Sequence, residues 1–184
     1  MRITLGEFQD NFKYEILKPT DCVKTFQCGD EDLDNFITKE SADYTKSLLS
    51  VTYIVTNKSK NKVVAYFSLA ADKLSVNDFA SNSEFNRFHK RRFVHEKRLR
   101  SYPAVKLCRL GVDISMKGTG LGSIILSLIE FLCTQGNRIG CCFITVDAYK
   151  TATPFYIKNG FQPLSKGTSN CFTEPLFMDL HSML

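Results

Sequence analysis

The stretch KGTGLG, Lys117 to Gly122, places Gly118, Gly120 and Gly122 at the opening of an amphipathic segment. Leu121, Ile124, Ile125, Leu128, Ile129 and Leu132 recur at the spacing that gathers apolar side chains on one face of a helix. Val105, Leu107, Leu110 and Val112 precede the turn as an apolar strand. The order is therefore strand, glycine turn, helix. Backbone N–H groups point out of a helix N-terminus, and the macrodipole adds partial positive charge, so a phosphate or pyrophosphate is the natural ligand. Glycine allows the backbone to approach it closely. Two better-known phosphate turns do not fit. Ser123 and Ile124 follow Gly122 where a P-loop requires Lys-Ser/Thr. The spacing G-x-G-x-G also differs from the dinucleotide fingerprint G-x-G-x-x-G.

The elements around this turn alternate. Tyr14 to Leu17 reads as a first strand, Pro19 to Cys28 as a connection, and Asp30 to Leu48 as helical, with Leu33, Phe36, Ile37, Tyr44 and Leu48 at helical spacing. Val51 to Thr56 and Val63 to Leu69 form a hairpin across NKSKNK. A helix is predicted in Phe85 to Leu99, and the main helix from Gly120 to about Gly136. A strand at Cys142 to Val146, a short helix at Thr151 to Lys158, and strands near Phe161 and at Leu176 to Leu180 complete one mixed sheet with helices, an α/β (α+β) arrangement.

The stretch RLGVDISMKGTGLGSIIL, Arg109 to Leu126, resembles motif A of the GNAT (Gcn5-related) N-acetyltransferases, with Lys117, Gly120 and Gly122 in the Q/R-x-x-G-x-G/A signature. ATPFYIKNGFQPL, Ala152 to Leu164, resembles the second hallmark, A-x-x-F-Y-x-x-x-G-F, complete in Ala152, Phe155, Tyr156, Gly160 and Phe161. FQCGDEDLDNFI, Phe26 to Ile37, followed by Thr52 to Ala70, is similar to the N-terminal half of the GNAT branch that includes tRNA-acetylating toxins.

The resemblance implies a GNAT fold with a single mixed central sheet, flanking helices and splayed central strands. It implies acetyl-CoA as co-substrate: Leu110, Gly111 and Val112 along the pantetheine arm, and Lys117, Gly118, Thr119, Gly120, Leu121, Gly122 and Ser123 around the pyrophosphate. It casts the Val112 N–H as oxyanion donor and Tyr156 as the general acid that protonates the leaving thiolate. A phenol, with a reference pKa of about 10, holds its proton at neutral pH. Tyr156 can also be read as an aromatic packing beside Phe155 on an amphipathic helix. One departure is Tyr149, which stands where many members carry asparagine seven residues before the tyrosine. The DAYK stretch, Asp147 to Lys150, reads either as acceptor lining or as a strand-to-helix loop.

A general base is less legible. Freeing a lysine amine of its proton near pH 7.4 costs about 4 kcal/mol, an α-amine under about 1 kcal/mol, at 1.36 kcal/mol per unit. Only the first strongly demands a base; Asp113 and Glu96 are the candidates, Asp113 also reading as a residue that shapes the strand end and Glu96 as a partner for its basic neighbours. Cys108, in the strand before the turn, could approach the acetyl thioester, but reads mainly as a buried apolar residue.

At 184 residues and 43% hydrophobic content, one domain over residues 1–184 is expected. No apolar run approaches the roughly 20 residues that span a bilayer, and the N-terminus lacks a signal-peptide core, so a cytoplasmic address is expected. Seven cysteines without a C-x-x-C pair, and His89, His95 and His181 without ligand spacing, point to neither a disulfide framework nor a metal site. RFHKRRFVHEKRLR, Arg87 to Arg100, carries seven Lys/Arg and one Glu, a net of +6 against +5 for the whole chain. It would suit tRNA, with Phe88 and Phe93 available for packing or stacking, or an acidic tail of an inhibitor; it also reads as a solvated helix with long side chains over its own apolar residues.

Three functions follow. The leading one is acetyl transfer from acetyl-CoA to a primary amine of a small molecule or protein, by direct attack on the thioester. The second is a toxin-like enzyme that acetylates aminoacyl-tRNA and is silenced by an antitoxin. The third is a CoA-binding sensor without turnover. A homodimer is left open.

Overall fold

The structure, a computed structural model, describes residues 2–90, 99–135, 139–164 and 172–181. Its strands are β1 (Phe12–Ile16), β2 (Val51–Asn57), β3 (Lys62–Ser75), β4 (Ser101–Val112), β5 (Phe143–Tyr149), β6 (Gln162–Pro163) and β7 (Thr173–Asp179). They form one seven-stranded sheet in the order β1-β2-β3-β4-β5-β7-β6. The helices are α1 (Leu5–Asn11), α2 (Glu31–Asn35), α3 (Ser41–Lys46), α4 (Asn82–Lys90), α5 (Leu121–Thr134) and α6 (Thr153–Lys158). The sheet is mixed: β4 and β5 are parallel over Ala104↔Phe143, Val105↔Ile144 and Lys106↔Thr145, whereas β1–β2, β2–β3, β5–β7 and β6–β7 are antiparallel. Parallel neighbours need a long crossover, here the segment containing α5.

The contacts divide into two compact units. The first comprises residues 1–70 and 107–128, the second 71–106 and 129–184.

In the first unit, β1, β2 and the start of β3 make an antiparallel meander with Tyr53 and Phe67 directly opposite and their rings stacked at 4.8 Å. The 57–62 turn places Asn61 at φ 47°, the left-handed region that asparagine tolerates. The core gathers Leu17, Val23, Phe26, Cys28, Phe36, Ile37 and Tyr66. The expected helix over Asp30 to Leu48 is interrupted: a π turn, Phe36–Glu40, separates α2 from α3. That turn buries both Phe36 and Ile37, at 0% and 1% exposure. The first strand begins at Phe12 rather than Tyr14, because α1 precedes it.

In the second unit, Phe79, Phe85, Phe88, Tyr102, Phe143 and Phe177 form an aromatic core with Leu74 and Ala104. Phe88 lies 5.5 Å from both the Phe143 and the Phe177 rings. Such pairs add about 0.5–1.5 kcal/mol each beyond their buried area. Of the two readings of Phe88, packing or stacking, the structure shows packing: its ring is core. Of the basic segment, residues 91–98, with Phe93 and Glu96, lie outside the described residues. β5 runs on to Tyr149, so Asp147 to Tyr149 are strand residues rather than loop.

α5 passes from the first unit into the second. Leu121, Ile125 and Ile129 are 0% exposed, Leu126 2% and Cys133 7%. Ile124, Leu128 and Leu132 are only half-buried, so the buried stripe is rotated slightly from the expected face. Among the described residues no helix is long and apolar enough to cross a membrane.

Candidate active site

The first unit holds the glycine turn. β4 ends at Val112, a single 3₁₀ turn spans Ile114–Met116, and the chain then enters Lys117 to Gly122. Gly118 and Gly120 have φ of 76° and 85°, in the left-handed region where a side chain is costly. Ser123 and Ile124 N–H both donate to the Gly120 carbonyl, at 3.0 and 3.2 Å. The amides before them are the donors that a helix's first turn leaves without an intrahelical acceptor. A Cβ at Gly118 would meet nothing within 4 Å, so the space over the turn is open there. Open space, orphan donors and the Lys117 ammonium together fit a phosphate group.

Gly111 serves a different purpose. A Cβ there would lie 2.5 Å from Tyr66 Cε1 and 3.2 Å from Phe26 Cε1, so the strand needs glycine to admit two core rings. Leu110 and Val112 on either side are half-buried.

The residues Phe26 to Asp34 explain themselves as a scaffold. Asp30 caps α2 by accepting from Leu33 N–H at 3.1 Å, and Asp34 accepts from Cys28 N–H at 2.8 Å. Burial pushes the Cys28 thiol up to about 11, which suits an inert core residue. Gly29, at φ 83°, leaves the room that Lys117 Nζ takes, 3.4 Å from where its Cβ would be. The Ile114 N–H donates to the Gln27 carbonyl at 2.7 Å, tying this loop to the approach of the glycine turn.

Asp113, a candidate base in the sequence, is 1% exposed, with Lys62 Nζ 2.9 Å from Oδ2. The Ser115 N–H and hydroxyl donate to Oδ1 at 3.0 and 2.5 Å. Burial raises its pKa, but Ser115 and Lys62 outweigh it and hold the carboxyl below its ordinary value. A carboxylate so satisfied is a weak base. Lys62 and Asp113 also help line a groove of about 420 Å³, together with Lys24, Phe26, Gln27 and Asp34.

Sequence reasoning missed two features of this unit. The Arg109 guanidinium lies 4.0 Å from the Phe36 ring centroid and 5.1 Å from that of Tyr44, a cation–π contact with two rings that meet edge-on, and it has no linear signature. The N-terminal arm is the other. Thr4 and Glu7 form a capping box that starts α1, and the Ile3 N–H donates to the Thr119 carbonyl at 2.7 Å. The T-x-x-E spacing was its available signal.

The second unit holds Tyr156, on α6. The helix has Pro154 in its first turn and ends in a Schellman cap: Phe161 N–H donates to the Tyr156 carbonyl and Gly160 N–H to that of Ile157, both at 3.1 Å. Gly160 supplies the left-handed residue at φ 90°, and the Tyr156 and Phe161 rings meet edge-on at 5.3 Å. The G-F of the second motif is thereby a helix stop with its hydrophobic clasp. The cap uses the ring and carbonyl of Tyr156 and leaves the hydroxyl out. Tyr156 is 8% exposed, and burial pushes its phenol up to about 12. Also in this unit, Lys106 Nζ sits 2.5 Å from Asp147 Oδ2, and the Thr145 hydroxyl donates to Asp72. Tyr149, at the departure from the family pattern, is 43% exposed.

No family model matches the chain. The curated "Probable toxin TacT" of Sinorhizobium fredii (strain NBRC 101917 / NGR234) is 25% identical over 148 residues, 76% of this chain and 77% of that protein. Among solved structures, AtaT complexed with acetyl-methionyl-tRNAfMet superposes with a TM-score of 0.75 at 23% identity, over 94% of this chain and 97% of that one. A tyrosine-to-phenylalanine mutant of the AtaT toxin, bound to the C-terminus of the antitoxin AtaR and acetyl-CoA, matches with a TM-score of 0.71 at 22% identity, over 95% and 96%. The mixed seven-stranded sheet with its helices is the fold of these GNAT toxins, as the two sequence motifs predicted.

Proposed function

We propose that this protein is an acetyl-CoA-dependent N-acetyltransferase of the toxin type, which acetylates the α-amino group of an aminoacyl-tRNA and is restrained by an antitoxin. The observation that carries the acceptor is the likeness, along 94% of the chain, to AtaT complexed with acetyl-methionyl-tRNAfMet. This reading is narrower than transfer to any primary amine, and it ranks above it.

In this account Lys117 and the amides of Gly118, Gly120, Leu121 and Gly122 hold the pyrophosphate, those of Thr119 and Ser123 being engaged by the Met116 and Gly120 carbonyls, while the backbone of Leu110 to Val112 aligns the pantetheine arm. Acetyl-CoA supplies the activated acyl group. The Val112 N–H stabilises the oxyanion that develops as the amine attacks the carbonyl carbon, worth about 2.7–4 kcal/mol for such a donor. A C–N bond forms, the C–S bond breaks, and Tyr156 gives its proton to the departing sulfur. The phenolate then recovers a proton, ultimately the one lost by the amine.

The chemistry also selects the acceptor class. Asp113, held ionised by Ser115 and Lys62, is a poor base. An acceptor whose amine sheds its proton near neutrality, at a pKa of about 7.7–8.0 for an α-amine, needs none. An aminoacyl ester satisfies that condition and a lysine side chain does not.

The test is acetyl transfer from labelled acetyl-CoA to bulk charged tRNA, with wild type beside Tyr156→Phe. Label in the aminoacyl-tRNA fraction, lost in the variant, supports the reading. Transfer to free amines but not to charged tRNA returns the protein to the broader class, and tight binding without transfer leaves a sensor.

A further inference from the structure

The N-terminal arm, for which the motifs above give no role, crosses the glycine turn. It is fixed just after Arg2: the Ile3 N–H is bonded to the Thr119 carbonyl at 2.7 Å, and Thr4 caps α1, accepting from Glu7 N–H at 3.3 Å while its own N–H donates to Glu7 Oε2 at 2.8 Å. One residue before these anchors, the Arg2 side chain lies over Gly120. A Cβ at Gly120 would stand 3.1 Å from Arg2 Cγ and 3.4 Å from Nε. Gly120 is thus glycine for two reasons: its φ of 85°, and the arginine stem laid across it. Lys117, at the start of the turn, places its Nζ beside Gly29. The open space over Gly118 belongs to the same short turn. Among the described residues neither Arg2 nor Lys117 is paired with a carboxylate.

We propose that Arg2 is a cofactor-binding residue: the N-terminal arm supplies a second cation to the glycine turn, and its guanidinium contacts the pyrophosphate of acetyl-CoA. A guanidinium is suited to this because its planar fork can pair two phosphate oxygens at once, whereas Lys117 acts as a point charge. The backbone just after Arg2 is ordered by bonds that do not involve the Arg2 side chain, and the arginine stem already lies against Gly120, so the guanidinium starts close to the turn. That lowers the ordering cost of binding. This inference rests on the functional reading above, which makes a CoA thioester the ligand.

The experiment is a calorimetric titration of wild type, Arg2→Ala and Arg2→Lys with acetyl-CoA, acetyl-3′-dephospho-CoA and acetyl-pantetheine, alongside thermal melts. Loss of one charge-assisted contact predicts that Arg2→Ala weakens acetyl-CoA about tenfold, with Arg2→Lys in between and the melting temperature unchanged. The same loss is expected with the dephospho ligand, which keeps the pyrophosphate, and none with acetyl-pantetheine, which lacks it. Equal affinity of wild type and Arg2→Ala for acetyl-CoA overturns the proposal, as does an equal loss across all three ligands, which would mean that the arm acts through the fold. A loss confined to acetyl-CoA would move the contact to the 3′-phosphate and overturn the pyrophosphate assignment. Failure of the wild type to bind acetyl-CoA at all would overturn the functional reading itself.

Discussion

The glycine turn and the Tyr156 helix are the two motifs that resemble one family, and they are built on opposite principles. The turn keeps its functional groups outward: Gly118 faces open space, Lys117 reaches across Gly29, and orphan amides await an acceptor. The helix buries Tyr156, the proposed acid, to 8% exposure against Phe155 and Phe161, in a cap that fixes the ring. One arrangement offers many weak contacts to an anion; the other places one proton on one rigid atom. Groups of the first kind should govern affinity, and the group of the second kind should govern the chemical step.

The sharpest way to break that contrast is Tyr156→Phe. It keeps the ring and the Schellman cap and removes only the hydroxyl, so kcat for acetyl transfer should fall about 10²–10⁴-fold with acetyl-CoA affinity and melting temperature retained. A variant that loses affinity instead would put Tyr156 with the binding groups. The companion expectation concerns pH: with the phenol held up to about 12 by burial, the kcat profile should show no alkaline limb from this residue below about pH 11. A fall centred near 10 would mean an exposed, ordinary phenol.

Next in size is Gly111→Ala. With Tyr66 Cε1 2.5 Å from the added Cβ, the core must shift, and urea unfolding should report a loss of about 1–3 kcal/mol. Gly118→Ala meets no atom and should cost only the strain of its positive φ, about 1–2 kcal/mol. Comparable losses would be unremarkable; a larger loss at Gly118 than at Gly111 would contradict the distinction between a packing glycine and a turn glycine. Lys117→Ala should then raise the dissociation constant of acetyl-CoA about tenfold while leaving kcat at saturation unchanged.

The smallest effect tests Asp113 as scaffold. Its folded-state pKa is depressed, so its contribution to stability is present above about pH 4 and is lost as the pH falls through the folded value. Lys62→Met should therefore destabilise the protein near pH 7 and progressively less below about pH 4, read from urea midpoints across pH. A penalty independent of pH would show that Lys62 acts by packing alone.

Much of this was legible in the linear sequence because it is local. The periodicity of α5, the hairpin across Asn57 to Lys62 and the two motifs depend on residues a few positions apart, and they were found. The π turn at Phe36–Glu40 was not, since it answers to burial of two adjacent apolar residues within a core built from distant strands. The choice between packing and stacking for Phe88 stays open in the sequence for a related reason. Its neighbours Phe143 and Phe177 lie far along the chain, and only its basic surroundings are local. At the site, the residue types of the turn were evident. The reasons for individual glycines were not: Gly111 is required by Tyr66, a long-range contact, whereas Gly29 and Gly120 are required by their own positive φ, with Lys117 and Arg2 lying against them. Asp113 looked like a base because sequence shows a carboxylate without its partners; Lys62 is supplied by another strand.

The most direct test of the central claim is acetyl transfer from labelled acetyl-CoA to bulk charged tRNA, in competition with free amines and peptides. The account predicts label on the α-amino group of aminoacyl-tRNA and its loss with Tyr156→Phe. Transfer that bypasses charged tRNA in favour of free amines, or that survives unchanged in Tyr156→Phe, would contradict it.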